Sequence, residues 1–192
     1  MSDIKLRAAT SAEWVDTVMG NFDRFLLDHA AAEKKAAGMA ISMLSHYPDK
    51  PALVEAMADL AVEEMSHYRD VVRLIHQRGG TTGPDAKDPY VIAMRACFRK
   101  GSEAYLLDRL LVGGVIEARG AERFGLIGEA LKPGQLKRFY TAIARSEERH
   151  NDLFVNLAQR YFTADTVTQR LDELLSQEAD IVNTLPIRAA LH

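Results

Sequence analysis

A chain of 192 residues with 47% hydrophobic and 27% charged side chains has the length and composition of one ordinary globular domain with a sizeable core. A net charge of −3 and a pI near 6.1 give no global support for nucleic-acid binding, no apolar run is long enough to span a bilayer, and the N-terminus shows no basic-then-apolar leader pattern. The single Cys97 excludes an internal disulfide and reads as a small packing residue in a reducing compartment, so a cytoplasmic protein is expected.

The chain reads as helices throughout. Thr10-Ser11-Ala12-Glu13 has the form of a capping box opening a short helix that ends near Gly20. A first long helix is expected over about 21–45, stopped by Tyr47-Pro48-Asp49, and a second over about 51–77, begun by a first-turn proline at Pro51. The run from Arg78 to Pro84 is a loop, rich in glycine and threonine. A short helix over about 89–99 is expected next, broken at Lys100-Gly101. The third and fourth long helices are expected over about 102–131 and 134–161, with Lys132-Pro133-Gly134 as the turn between them. Thr163 to Asp165 offer a cap for a last amphipathic helix ending before Pro186, and the remaining residues read as a tail. No strand pattern competes, and the fold class is all-α.

Two of these helices carry Glu-x-x-His: Glu64-Met65-Ser66-His67 and Glu147-Glu148-Arg149-His150. Chance would place about 0.4 such pairs in a chain of this composition, so one alone means little. Each pair, however, follows a helix with a lone glutamate about 30 residues upstream, Glu33 and Glu117. The apolar seams contain all six residues at alternating spacings of four and three: Leu26, Ala30, Glu33, Ala37, Ala40; Leu53, Met57, Leu60, Glu64, His67, Val71; Leu106, Leu110, Gly113, Glu117, Gly120, Phe124; and Tyr140, Ile143, Glu147, His150, Phe154. Glu33 to Glu117 spans 84 positions and Glu64 to Glu147 spans 83, so the chain reads as a duplicated helix pair.

Four carboxylates on apolar seams lose hydration worth several kcal/mol each and repel one another. Two divalent cations would neutralise them. One Glu from each of two helices plus a Glu-x-x-His from each of two others is the ligand arithmetic of a carboxylate-bridged di-metal site in a four-helix bundle. The expected ligands are therefore Glu33, Glu64, His67, Glu117, Glu147 and His150. Oxygen-rich ligation with one imidazole per metal suits iron first and manganese second; the lack of thiolate ligands argues against structural zinc.

Other residues read less sharply. His29, four before Glu33, could orient a ligand or be an ordinary surface or partly buried histidine. Glu122 is read as a supporting or surface residue, while Glu63 and Glu148 point off the seams. His46, His76 and His192 lie at helix ends or in the tail. Tyr68 and Tyr140 are redox candidates or core packing. The small seam residues Ala30, Ala37, Gly113 and Gly120 either leave space beside the metals or allow close helix packing. Basic clusters at Arg95, Arg99 and Lys100, at Lys132, Lys137 and Arg138, and at Lys34 and Lys35 are solvated surface or phosphate contacts.

The ligand pattern resembles the ferritin-like superfamily as a whole, and the surrounding residues narrow the likeness. Leu26-Leu27-Asp28-His29-Ala30-Ala31-Ala32-Glu33-Lys34-Lys35-Ala36-Ala37, the stretch Leu111 to Phe124, Glu63-Glu64-Met65-Ser66-His67 and Ser146 to Asp152 resemble the tRNA 2-methylthio-isopentenyladenosine hydroxylase (MiaE) family over nearly the whole chain. The resemblance implies one ferritin-like four-helix domain over 1–192, with extra short helices at the N-terminus, crossover and C-terminus. It implies a non-haem di-iron monooxygenase that takes dioxygen and electrons from an external donor. The substrate implied is tRNA, hydroxylated on the isopentenyl group of the modified adenosine next to the anticodon. Iron storage or detoxification, and a rubrerythrin-like peroxidase, are the alternatives within the superfamily; the second is disfavoured because no cysteine-rich iron domain is attached.

Overall fold

The computed structural model describes residues 4–192 and contains seven helices and no strand among them. They are α1 (Ala12–Gly20), α2 (Phe22–His46), α3 (Pro51–Gln77), α4 (Pro89–Ala96), α5 (Ser102–Ala130), α6 (Gln135–Tyr161) and α7 (Ala164–Thr184). The chain divides into two compact units. One holds the described residues up to Val15, Asp88–Ile187 and His192; the other holds Asp16–Lys87 and Arg188–Leu191.

The second unit is built on the hairpin of α2 and α3, whose buried faces are Phe25, Leu26, Ala30, Ala37, Ala40 and Met43 against Leu53, Met57, Leu60, Val71 and Ile75. Pro51 opens α3, where a missing N–H costs nothing. The far end is closed by a Schellman turn: Gly80 N–H donates to the Ile75 carbonyl at 3.0 Å and Gly79 N–H to His76 at 3.0 Å. Gly79 has φ +80°, which only glycine adopts without strain. The following loop is tied back to α2, Lys34 Nζ reaching Asp85 at 2.9 Å and Lys35 Nζ the Ala86 carbonyl at 2.8 Å. Those two lysines are thus occupied within the fold.

The first unit centres on α5, packed against α6 and also against α4 and α7. The sequence pattern predicts one buried seam on this helix. Instead burial extends around it, taking in Leu107, Asp108, Leu111, Val112, Val115, Ala118, Arg119 and Arg123 as well as the seam. The physical reason is α7, which packs on α5 in addition to α6 and meets it through two buried ion pairs. Arg170 on α7 reaches Asp108 (Nε–Oδ1 2.8 Å, Nη2–Oδ2 3.1 Å), and Arg119 on α5 reaches Glu178 (Nε–Oε1 2.8 Å, Nη2–Oε2 3.0 Å). Charge polarity reverses between the pairs, so only an α7 running in the direction of α5 matches both; reversing it would set like charges together.

Several expectations are corrected here. Arg99 is tied to the Asp108 cluster, donating its backbone N–H at 2.7 Å and its guanidinium Nη2 at 2.8 Å, while its side chain stays exposed with those of Arg95 and Lys100. The expected Thr10 capping box is replaced by Ser11, whose hydroxyl accepts from Trp14 N–H at 3.2 Å. Thr10 instead donates to Glu122 from both its N–H (2.9 Å) and its hydroxyl (2.7 Å). Helix α4 stops at Ala96 rather than Arg99, because the Arg99 N–H is turned to Asp108. The terminal residues are no tail. Ala189, Ala190 and Leu191 are buried, with Leu191 N–H on Asp28 at 2.7 Å; within the other unit His192 stacks on Tyr90 at 4.7 Å and meets Asp88 at 3.0 Å.

Removing one member of a buried pair leaves the other charge desolvated and unmatched, at a cost of about 3–5 kcal/mol. Arg119→Ala is expected to lower the unfolding free energy by that amount in a denaturant titration, whereas the apolar double variant Arg119→Met with Glu178→Leu recovers most of it. The Asp108 carboxyl gives a second expectation. Burial pushes its pKa up, but hydrogen bonds from Arg99 and Arg170 outweigh this and hold it below the ordinary carboxylate value. Its stabilisation is present at neutral pH and is lost as pH falls through that depressed pKa. Stability measured below about pH 4 should therefore fall less steeply in Asp108→Asn than in the wild type.

Candidate metal centre

Within the α2–α3 unit, Glu33, Glu64 and His67 project from neighbouring helix faces, and one ligand atom from each lies within 4.8 Å of the others. His67 turns Nδ1 towards the carboxylates, 3.5 Å from Glu33 Oε2 and 3.9 Å from Glu64 Oε2. Its far nitrogen, Nε2, faces Glu63 Oε1 at 3.9 Å, so Glu63 is off the seam but beside the imidazole. The i, i+3 spacing puts Glu64 and His67 on one face of α3, while Glu33 arrives from α2. Glu33 and Glu64 are buried; His67 retains 13% exposure.

The α5–α6 unit repeats the arrangement with Glu117, Glu147 and His150, whose ligand atoms also fall within 4.8 Å. His150 Nδ1 stands 3.4 Å from Glu147 Oε2 and 3.9 Å from Glu117 Oε2. All three are buried. Each half therefore presents two carboxylates and one imidazole through the same nitrogen. That matches the duplication seen in the spacing.

The electrostatics of the first half show what the donor set attracts. Burial pushes the His67 pKa down, but hydrogen bonding and charge from Glu33 and Glu64 overcome it and raise it to about 10. Two buried carboxylates thus draw positive charge onto the imidazole between them. A divalent cation satisfies the same demand with more charge, and the set of carboxylate oxygens and one imidazole per half fits iron or manganese.

The surroundings resolve other readings. His29 is wholly buried, with Nε2 2.6 Å from Glu33 Oε1. Burial together with the nearby His67 lowers its pKa to about 3, so it is neutral and donates to the carboxylate. Its signal in the sequence was its place four residues before Glu33, one turn away on the same face. Tyr140 packs in the core against Phe124 and Phe139, at ring separations of 5.8 and 5.2 Å. Glu148 is exposed. Glu122 is paired with the buried Arg119, away from the ligands. At Gly113 a Cβ would meet the Phe154 ring at 3.0 Å, so this glycine serves close packing, whereas at Gly120 the nearest atoms, including Glu147 Cγ, stand off at 3.9 Å and leave ordinary room. The Cys97 thiol donates to the Ala93 carbonyl at 3.5 Å and its pKa is raised by burial, the opposite of an activated nucleophile.

Comparison with known proteins extends this picture. The profile of the family described as "tRNA-(MS[2]IO[6]A)-hydroxylase (MiaE)" matches residues 2–192. A tRNA 2-(methylsulfanyl)-N(6)-isopentenyladenosine(37) hydroxylase from Pseudomonas putida is 30% identical over 182 residues, 95% of this chain and 88% of the relative. The enzyme of the same name from Salmonella typhimurium is 33% identical over 93 residues, 48% of this chain and 34% of the relative. Among solved structures, a Synechococcus protein with aldehyde deformylating oxygenase activity superimposes with a TM-score of 0.91 at 34% identity, covering 97% of this chain and 94% of that one. The fold class is accordingly all-α and ferritin-like. With its profile matched from residue 2 to the C-terminus, this chain belongs to the MiaE family of tRNA hydroxylases.

Proposed function

We propose that this protein is a di-iron monooxygenase that hydroxylates the isopentenyl group of 2-methylthio-isopentenyladenosine in tRNA, next to the anticodon. The observation that carries the proposal is the pair of Glu, Glu, His sets, one in each helical hairpin and all buried but for a slightly exposed His67, in a chain whose family is named for this reaction. In this reading the chain forms a single ferritin-like domain, and Glu33, Glu64, His67, Glu117, Glu147 and His150 hold two iron ions. Two irons held there would pass two electrons from the external donor to dioxygen, so that with two protons and the two electrons of the C–H bond one oxygen atom ends as the hydroxyl and the other as water.

The chain's own residues have three tasks in this reaction. The six ligands bring four negative charges to two divalent cations, which leaves a neutral centre in an apolar core and removes the desolvation cost of the carboxylates. The leucine, alanine and phenylalanine residues on the same seams exclude water from the reacting groups. Gly120, one turn past Glu117, leaves room beside Glu147 on the ligand face. Electrons come from an external donor protein or reductase. No helix among the described residues is long and apolar enough to cross a membrane, in keeping with a tRNA-modifying enzyme of the cytoplasm.

The Synechococcus relative supports a second reading, an oxygenase acting on a different, aldehyde substrate. The family match from residue 2 to the C-terminus favours tRNA.

Mass spectrometry of tRNA nucleosides from a host making the prenylated, methylthiolated base should show the gain of one oxygen when this protein is supplied, and none with Glu64→Ala or His150→Ala. Both variants should also lose bound iron. Full iron content in the two variants contradicts the ligand assignment. An unmodified nucleoside with the wild type fully iron-loaded and electrons supplied contradicts the substrate.

A further inference from the structure

The Glu33 carboxylate is engaged at both oxygens in different ways. Oε2 faces the His67 imidazole at 3.5 Å, on the side of the ligand cluster. Oε1 turns back along α2 to His29, one helical turn before it, at 2.6 Å. His29 has no solvent exposure, and its ring lies 5.9 Å from that of Phe25, one further turn back, so its rotation is confined by packing. An ionised carboxylate only accepts, so the imidazole Nε2–H donates. In a low-dielectric setting such a charge-assisted bond holds the acceptor firmly.

The second hairpin does not repeat this device. The repeat offset of 84 between Glu33 and Glu117 brings His29 onto Gly113, where the space for a side chain is filled by the Phe154 ring. A hydrogen-bond donor stands one turn before the ligand glutamate in one hairpin, and a glycine in the other.

We propose that His29 is a positioning residue for the metal centre: by occupying Glu33 Oε1 it leaves Oε2 as the oxygen offered to metal and makes the two halves of the centre unequal. This rests on the reading of Glu33 as a ligand. The role goes beyond filling space, because it depends on a donor at the Nε2 position and not on the volume of the ring.

The test is anaerobic titration of the metal-free protein with cobalt(II), followed by its visible absorption, in wild type, His29→Leu, His29→Gln, His29→Asn and Glu33→Ala. Glutamine can place an amide N–H near the Nε2 position; asparagine is too short and reaches only as far as Nδ1. Wild type is expected to bind two ions. In His29→Leu and His29→Asn one of the two should bind tenfold to a hundredfold more weakly, the usual effect of removing a partner that orients a ligand, with a changed cobalt spectrum. His29→Gln should recover most of the affinity and the wild-type spectrum. Circular dichroism and thermal melts of the Gln and Asn variants check that both are folded, and the comparison between those two does not depend on His29→Leu folding. Gln and Asn variants that bind two ions alike with wild-type affinity and spectrum overturn the proposal while Glu33→Ala still loses an ion. Wild-type binding in Glu33→Ala overturns the ligand reading itself, and the proposal with it.

Discussion

Carboxylates buried on the apolar faces of two helical hairpins are the constraint on which the rest of this structure depends. Glu33, Glu64, Glu117 and Glu147 are all but removed from solvent on helix faces otherwise lined with leucine, alanine, methionine and phenylalanine. Each carries a desolvation penalty of several kcal/mol that packing cannot offset. Something positive has to lie beside the pair in each hairpin. The raised pKa of His67 shows the α2–α3 hairpin recruiting a proton for that purpose, and the proposed irons satisfy the same demand while adding redox chemistry. Destabilisation of the metal-free protein and affinity of the centre for cations are two sides of one electrostatic fact.

Helix α5 shows how the fold bears such a centre. One face supplies Glu117; the other carries Asp108 and Arg119, each closed by an opposite charge from α7. Arg119 is completed by Glu122 and the Ala8 carbonyl, and Tyr90, whose pKa is raised by burial and by the charge of Glu178, donates to that carboxylate at 3.2 Å. Next to this network the Arg123 guanidinium lies 4.8 Å from the Trp14 ring, its pKa pushed down to about 10 by burial and by Arg119, and so still charged at neutral pH. These pairs are poor sources of net stability but strong sources of register. They fix the rotation and direction of the helices around α5, and with them the bearing of a ligand that must meet its neighbours to within a fraction of an ångström.

Much of this was legible in the sequence because helical periodicity and ligand spacing are local properties. The four long helices lie within a residue or so of the limits read from proline, glycine and the apolar seams, and all six expected ligand residues sit on buried or nearly buried faces. What the sequence did not disclose depends on partners distant along the chain. Arg99 looks like a free surface cation until Asp108, nine residues on, is seen to pair with it, and Thr10 looks like a helix cap until Glu122 claims it. The role of α7 was hidden because Arg170 and Glu178 read as ordinary polar positions on an amphipathic helix. His29 was ambiguous for the converse reason: its spacing from Glu33 was visible, but burial is what turns a neighbouring imidazole into a fixed donor.

The central claim is that six side chains from two duplicated hairpins hold a pair of irons. Anomalous diffraction at the iron edge from crystals of the iron-loaded protein tests it most directly. The account predicts two peaks, one bonded to His67 with Glu33 and Glu64 and one bonded to His150 with Glu117 and Glu147. A single peak, or peaks bonded to other residues while these six stay ion-free, would contradict it.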